Sequence, residues 1–328
     1  MIYRSRPKNS KKIFLTIPIF IIFIFLAVSL SHGAENLPAH KVLKGYINQK
    51  ERKDFYTNIK RIGDAEPSWE PSGEISTENS ELIAGFSGLI VDIDNDKTLF
   101  SKNAKTKVKI ASLVKVMTAV VALEHGDLDQ EITISSKAAN IGENSMGTSE
   151  GEVYTLRELL YGLFLASGND SAYAIAEGIA GDSDSFVEWM NLKAKELGMN
   201  DTVFYDPSGL DDRTMSTAFD LVKLSRYALK SMDIRKVAKT EEILLTADNH
   251  KDILLSNQTN LLTTYPGVEG LKTGYTEDAG LCLITNARNY NHEFVGVVLN
   301  SIDRKGDMIL MLDHAFGVYG IKIEHNLL

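Results

Sequence analysis

The stretch Ser112-Leu113-Val114-Lys115-Val116-Met117-Thr118-Ala119-Val120-Val121-Ala122-Leu123-Glu124 decides how this chain folds. It reads as a helix, closed by Gly126, and it is apolar on almost every side. A helix without a polar face lies at the centre of a domain, covered all round by other elements. Ser112 opens this helix, and Lys115 lies one turn on, on the same face. Desolvating an ammonium is costly, so a lysine there needs a function to retain it. Burial lowers a lysine's pKa, and a second cation nearby lowers it further. A neutral Lys115 can then take the proton of Ser112, while the helix N-terminus favours negative charge at that oxygen. The Ser-x-x-Lys spacing alone is a weak signal, since Ser5-Arg6-Pro7-Lys8 repeats it within a basic leader.

Outward from this helix the pattern is strands, then helices, then strands again. Phe86 to Asp94 and Thr98 to Ser101 alternate as a hairpin around Asp94-Asn95-Asp96. Thr155 with Glu158 is a capping box that starts a helix running to Leu165. Asp170 to Ile179, Ser185 to Leu197 and Ala218 to Leu229 read as further helices, the second stopped by Gly198. Asp206-Pro207-Ser208-Gly209 is a turn. Leu271 to Thr276, Leu281 to Ala287 and Phe294 to Leu299 read as antiparallel strands, the last two joined at Asn289-Tyr290-Asn291, and a helix from Arg304 to Phe316 closes the domain. This order predicts an α+β fold. The two ends of the domain share one antiparallel sheet, flanked by helices, with a helical subdomain inserted between them.

The N-terminus addresses a membrane. Arg4 to Lys12 is basic, and Ile13 to Leu30 is free of charge and long enough to span. Residues 1–34 are therefore expected to be a leader that serves either as an uncleaved anchor or as a signal cut near residue 34. The basic end stays in the cytoplasm and the rest is exported. Residues 35–80 read as a polar linker, with a short helix around Val42 to Ile62, and 81–322 as the folded body. The formal net charge is −9 although the leader is wholly basic, so the body repels nucleic acid. One cysteine and scattered histidines give no ligand spacing for a metal. No cofactor is expected.

Two later motifs join the serine and lysine. Ser167-Gly168-Asn169 falls between two helices, where its bland reading is Gly168 as a C-cap followed by an N-cap. Lys272-Thr273-Gly274 lies inside a strand, where lysine often serves only as edge protection. Glycine inside a strand marks close approach of a backbone or ligand. Lys272, Gly274 and Thr276 share a face by alternation, offering a cation, bare backbone and a hydroxyl to a peptide carboxylate laid alongside.

Together these motifs resemble those of the serine-type D-Ala-D-Ala carboxypeptidases, the low-molecular-mass penicillin-binding proteins. The resemblance extends through Asn144-Ser145-Met146-Gly147, Asp206-Pro207-Ser208-Gly209-Leu210 and Ser216-Thr217-Ala218-Phe219-Asp220, and covers about residues 82–318. It implies a β-lactamase/transpeptidase-like fold and a set of roles. Ser112 would form the acyl-enzyme and Lys115 would be its base. Ser167 would pass a proton to the leaving D-alanine, held by Lys272. Asn169 would bind the substrate amide and Lys115, while Thr273, Thr276 and Arg304 would bind the terminal carboxylate. The backbone N–H groups of Ser112 and Tyr275 would form the oxyanion hole beside Gly274. Peptidoglycan stem peptides would be the substrate, β-lactams covalent inhibitors, and the extracytoplasmic face of the bacterial membrane the location. Val114 stands where the family usually has a small polar residue. Many relatives continue into a β-rich domain, which is not expected here.

Three alternatives stand beside this reading. An endopeptidase of the same fold shares every motif. A β-lactamase-like penicillin hydrolase needs a water-activating glutamate, and the near miss Glu196-Leu197-Gly198-Met199-Asn200 reads as a helix end. A silent wall-binding homologue would have lost Ser112, Lys115 or Lys272, and all three are present.

Overall fold

Strand β1 (Ser87–Asp92) turns through Asp96, at φ 50°, into β2 (Lys97–Lys102). This is the expected hairpin, in the computed structural model that describes residues 54–57, 59–73 and 80–327. The chain divides at residue 57 into two units, and the larger, 58–328, carries the fold. The expected anchor at Ile13–Leu30 and most of the Val42–Ile62 helix lie outside the described residues; of the rest, Asp54 and Phe55 are helical and 59–62 are not. Among the described residues no helix is long and apolar enough to cross a membrane.

After β3 (Val108–Lys109), a 3₁₀ turn at Ala111–Val114 leads into α1 (Lys115–His125). All of α1 except Leu123 and His125 is buried, as its uniform apolarity demands. Small β4 (Glu131–Thr133), α2 (Ser136–Ala139) and β5 (Val153–Thr155) follow. Then come α3 (Leu156–Leu165), α4 (Asn169–Ala180) and α5 (Ser183–Glu196). Both halves of the predicted capping box at α3 are formed. After β6 (Met215–Ser216) and α6 (Ala218–Ala228) lie three elements that the sequence pattern does not reveal. These are α7 (Met232–Lys239) and the hairpin of β7 (Glu242–Ala247) with β8 (His250–Ser256).

The chain ends in β9 (Val268–Thr276), β10 (Gly280–Asn289), β11 (His292–Ser301) and α8 (Arg304–Val318). Tyr290 and Asn291, both at positive φ, make the tight β10–β11 turn. The main sheet has the order β2-β1-β11-β10-β9, all antiparallel, so the two ends of the domain share it as expected. Ile90, Phe100, Leu283 and Val298 pack with Met308, Leu312 and Phe316 of α8 in one core. Strand β9 is the sheet edge, and the 3₁₀ turn that carries Ser112 packs against it.

Residues 59–73, expected within a polar linker, are instead strapped to the body. Arg61 makes a two-pronged pair with Glu196, at 2.8 and 3.0 Å. Glu66 holds Arg226 and Lys230, and Trp69 donates to Asp96 with the Arg226 guanidinium over its ring. Pro67 crosses Gly198 so closely that a Cβ there would meet its carbonyl oxygen. Under the strap, buried Glu124 at the end of α1 pairs with buried Lys193 at 2.5 Å and accepts from Ile62 N at 3.2 Å.

Candidate active site

The 3₁₀ turn places Ser112 where β9 begins its last three residues. Gly274 allows this: a Cβ there would lie 3.1 Å from Ile110 O, 3.2 Å from Ser112 N and 3.3 Å from Ala111 Cβ. A side chain on this strand residue would have to push the backbone of the serine turn back by a few tenths of an ångström. Ala111 is held at φ 48°, a conformation that non-glycine residues resist.

Lys115 is wholly buried, and its Nζ has three partners. These are Ser112 Oγ at 2.9 Å, Asn169 Oδ1 at 2.8 Å and Ser208 O at 2.7 Å. Burial pulls its pKa down to about 7, against the opposing pull of Asp206 and Asp170. Lys115 and Lys272 repel each other when both are charged, and the effect is largest on Lys272. Burial first, then Lys115 and Arg304, hold that ammonium well below the usual lysine range.

Lys272 is also buried, although it sits on the edge strand, so edge protection does not account for it. Its Nζ donates to Ser167 Oγ and to Thr273 O, both at 2.9 Å. Gly168 is not the left-handed cap that the bland reading of the second motif requires. Its φ is −59° and it precedes α4, while Ser167 itself takes the left-handed conformation at φ 55°. In that conformation the Ser167 hydroxyl accepts from Lys272 Nζ.

Asn169 is fixed at both ends: its N–H donates to Asn144 O at 2.7 Å and its Nδ2 to Gly142 O at 3.1 Å. Between these lies Glu143, at φ 58°. The neighbouring Asp170 has no role that the sequence alone suggests. It accepts from Ser145 Oγ and from the N–H groups of Met146, Gly147 and Thr148, and so builds the loop that holds Asn169.

Thr273 is buried beside Lys272, and Tyr275 is exposed on the strand edge. The Thr276 hydroxyl donates to Asp212 at 3.3 Å and accepts from Ala279 N at 3.1 Å, at the head of the β9–β10 turn. Arg304 comes under the same strand, its Nη1 donating to Gly274 O at 2.7 Å and to Cys282 O at 3.4 Å. Two buried serine–lysine pairs are therefore built beside the edge strand β9. Such an arrangement can take a proton from one hydroxyl and deliver a proton through another. Among the described residues no group of three or more His, Cys, Asp or Glu could hold a metal.

A protein-family profile described as D-alanyl-D-alanine carboxypeptidase matches residues 74–303. The chain is 36% identical over 242 residues to D-alanyl-D-alanine carboxypeptidase DacF of Bacillus subtilis, covering 71% of this chain and 62% of that protein's length. It is 31% identical over 234 residues to a D-alanyl-D-alanine endopeptidase of Escherichia coli, covering 70% of this chain and 75% of the other. Among solved structures it resembles the Streptomyces K15 DD-transpeptidase, with a TM-score of 0.68 at 30% identity, covering 72% of this chain and 98% of that one.

Proposed function

The chain belongs to the D-alanyl-D-alanine carboxypeptidase family, and from that premise we propose that it removes the terminal D-alanine of peptidoglycan stem pentapeptides through an acyl-enzyme on Ser112. The observation that carries this is the fully buried Lys115 Nζ, 2.9 Å from Ser112 Oγ. Lys115 takes the hydroxyl proton as Ser112 Oγ attacks the carbonyl of the penultimate D-alanine. The oxyanion forms beside the Ser112 and Tyr275 N–H groups. The C–N bond then breaks, and the leaving amine receives a proton through Ser167, which Lys272 orients. Water hydrolyses the ester and releases the shortened stem.

The terminal carboxylate lies against Lys272, Thr273 and Thr276, with Arg304 supplying positive charge from beneath the strand. Asn169 holds the substrate amide. β-Lactams would acylate the same serine and stay there. The enzyme would work in the cell-wall space, held by Ile13–Leu30 or released by cleavage near residue 34. The catalytic body would extend back to residue 59 through the strap, with its motifs within 81–322.

A penicillin hydrolase is disfavoured because Glu196, the near-miss glutamate, is engaged by Arg61 and Lys193. Endopeptidase action on cross-linked stems is the second reading, favoured by relatives of that name. Mass spectrometry of a pentapeptide and of a cross-linked dimer, each incubated with the protein, separates the two. Loss of one D-alanine from the monomer is the expected result. Covalent labelling by a fluorescent penicillin that survives Ser112→Ala would refute the nucleophile assignment.

A further inference from the structure

The Asp206-Pro207-Ser208-Gly209 turn has no part in the steps above, yet its carboxylate is buried and spent wholly on the turn itself. Asp206 Oδ2 accepts from the N–H groups of Ser208 at 3.1 Å, Gly209 at 2.9 Å and Leu210 at 3.1 Å, and from the Ser208 hydroxyl. The turn is locked to the serine helix at three points. Pro207 O accepts from Thr118 Oγ1 at 2.6 Å. Gly209, at φ 88°, lies so close that a Cβ would sit 2.1 Å from Ala111 O. The third point is Ser208 O, 2.7 Å from Lys115 Nζ.

A neutral primary amine carries two N–H bonds and one lone pair. A backbone carbonyl can only accept. Asn169 presents its Oδ1 to the amine because its Nδ2 is occupied by Gly142 O. Ser208 O and Asn169 Oδ1 therefore take both N–H bonds, and the lone pair is left facing the Ser112 hydroxyl. We propose that Asp206 is a positioning residue for acylation, holding the Ser208 carbonyl so that the Lys115 lone pair is aimed at the proton of Ser112. This rests on the reading of Ser112 and Lys115 given above.

Once the proton has moved, the ammonium keeps both acceptors, and the Asp206 charge favours it. The charged groups that act on Lys115 are Asp206 from the turn and Asp170 from α4, and Lys272 of β9 repels its ammonium form when itself protonated. Thr118 on its own helix carries no charge.

The test is the pH–rate profile of acylation by a fluorescent penicillin, from pH 5 to 9, for wild type, Asp206→Asn and Asp206→Glu in the full chain. The folded fraction of each is measured by circular dichroism. Asp206→Asn keeps the size and loses the charge. Its plateau should fall roughly ten- to hundredfold per folded molecule, and its midpoint should move to lower pH. Asp206→Glu keeps the charge and displaces the carbonyl, so its plateau should fall while the midpoint stays. A wild-type plateau and midpoint per folded molecule in either variant would overturn the proposal, since a residue that only stabilises the turn changes the folded fraction alone. Should one variant not fold, the other carries the same test. Failure of the wild type to label at Ser112 would instead sink the nucleophile assignment.

Discussion

Lowering the pH should switch acylation off as Lys115 takes up a proton, and the same group should leave a mark on stability. Its pKa falls from 10.5 to about 7 because it is buried. Only the neutral amine can accept the Ser112 proton, so the acylation rate should plateau above about pH 8. Below the midpoint it should lose tenfold per pH unit, leaving about 1% of the plateau at pH 5. The stability consequence has a definite sign. Between pH 7 and 10.5 the unfolded chain holds a proton on Lys115 that the folded protein does not, so folding stability rises with pH across that window. Each pH unit within the window contributes about 1.4 kcal/mol, so the full swing is about 5 kcal/mol, and about 2 kcal/mol of it falls between pH 7 and 9. The assay is stopped-flow labelling with a fluorescent penicillin, paired with urea melts of wild type and Lys115→Met. Taking the difference between the two melts cancels the titrating groups that do not feel Lys115, and leaves Lys272 as its one coupled neighbour in the comparison. Wild type should gain about 2 kcal/mol on the variant from pH 7 to 9. Acylation that is flat from pH 5.5 to 8.5, or a stability difference that does not move with pH, would show that Lys115 keeps its proton and is not the base.

Gly274→Ala should cost roughly 1–3 kcal/mol of stability and slow acylation about a hundredfold, because its methyl must push back the Ser112 backbone. Urea melts and labelling rates check both, and normal acylation would remove the close-packing argument. Arg304→Ala should lower turnover of free-acid D-Ala-D-Ala peptides by roughly one to two powers of ten, the worth of a charged hydrogen bond to carboxylate. Peptides amidated at the C-terminus should be turned over slowly by wild type and little slower by the variant. If the variant discriminates between the two peptides as wild type does, Arg304 does not read the carboxylate. Glu124→Gln should destabilise by about 3 kcal/mol, since it removes the charge from the buried carboxylate that faces Lys193, while acylation per folded molecule stays close to wild type. An unchanged urea midpoint would mean that the buried pair contributes nothing.

Much of the fold is legible because local signals agree with it. The uniform apolarity of α1 announces a central helix, Thr155 and Glu158 form their capping box, and alternation marks the strands around Lys272. The rest depends on partners far away in sequence. Arg61 and Glu196 are 135 residues apart, so the polar composition of 59–73 reads as a linker when its charges are already matched. The β7–β8 hairpin escapes a reading by pattern although Ile243, Leu245, Ile253 and Leu255 alternate. Lys251 and Asp252 interrupt the pattern, and two exposed leucines, Leu244 and Leu254, obscure the period. In the site, the residue types are legible and the backbone that aims them is not. Nothing local tells that Ser167, and not Gly168, is the left-handed residue, because tertiary contacts impose that conformation against its propensity.

The distribution of that strain bears on how the enzyme could be made more robust. Among the described residues, eight that are not glycine have positive φ, and four of them are Asn or Asp, which tolerate it. The others are Ala111, Glu143, Ser167 and Tyr290, and all but Tyr290 are Ser112's neighbour, part of the loop that holds Asn169, or the partner of Lys272. Glycine at a left-handed position relieves backbone strain, against the entropy it adds to the unfolded chain. Here that relief leads into the proposed catalytic centre: at 167 it would delete the hydroxyl bonded to Lys272, and at 111 it would loosen the residue that precedes the proposed nucleophile. Breeding for heat resistance would therefore enrich glycine at those positions first and yield hardy proteins that no longer turn over substrate, unless activity is selected alongside.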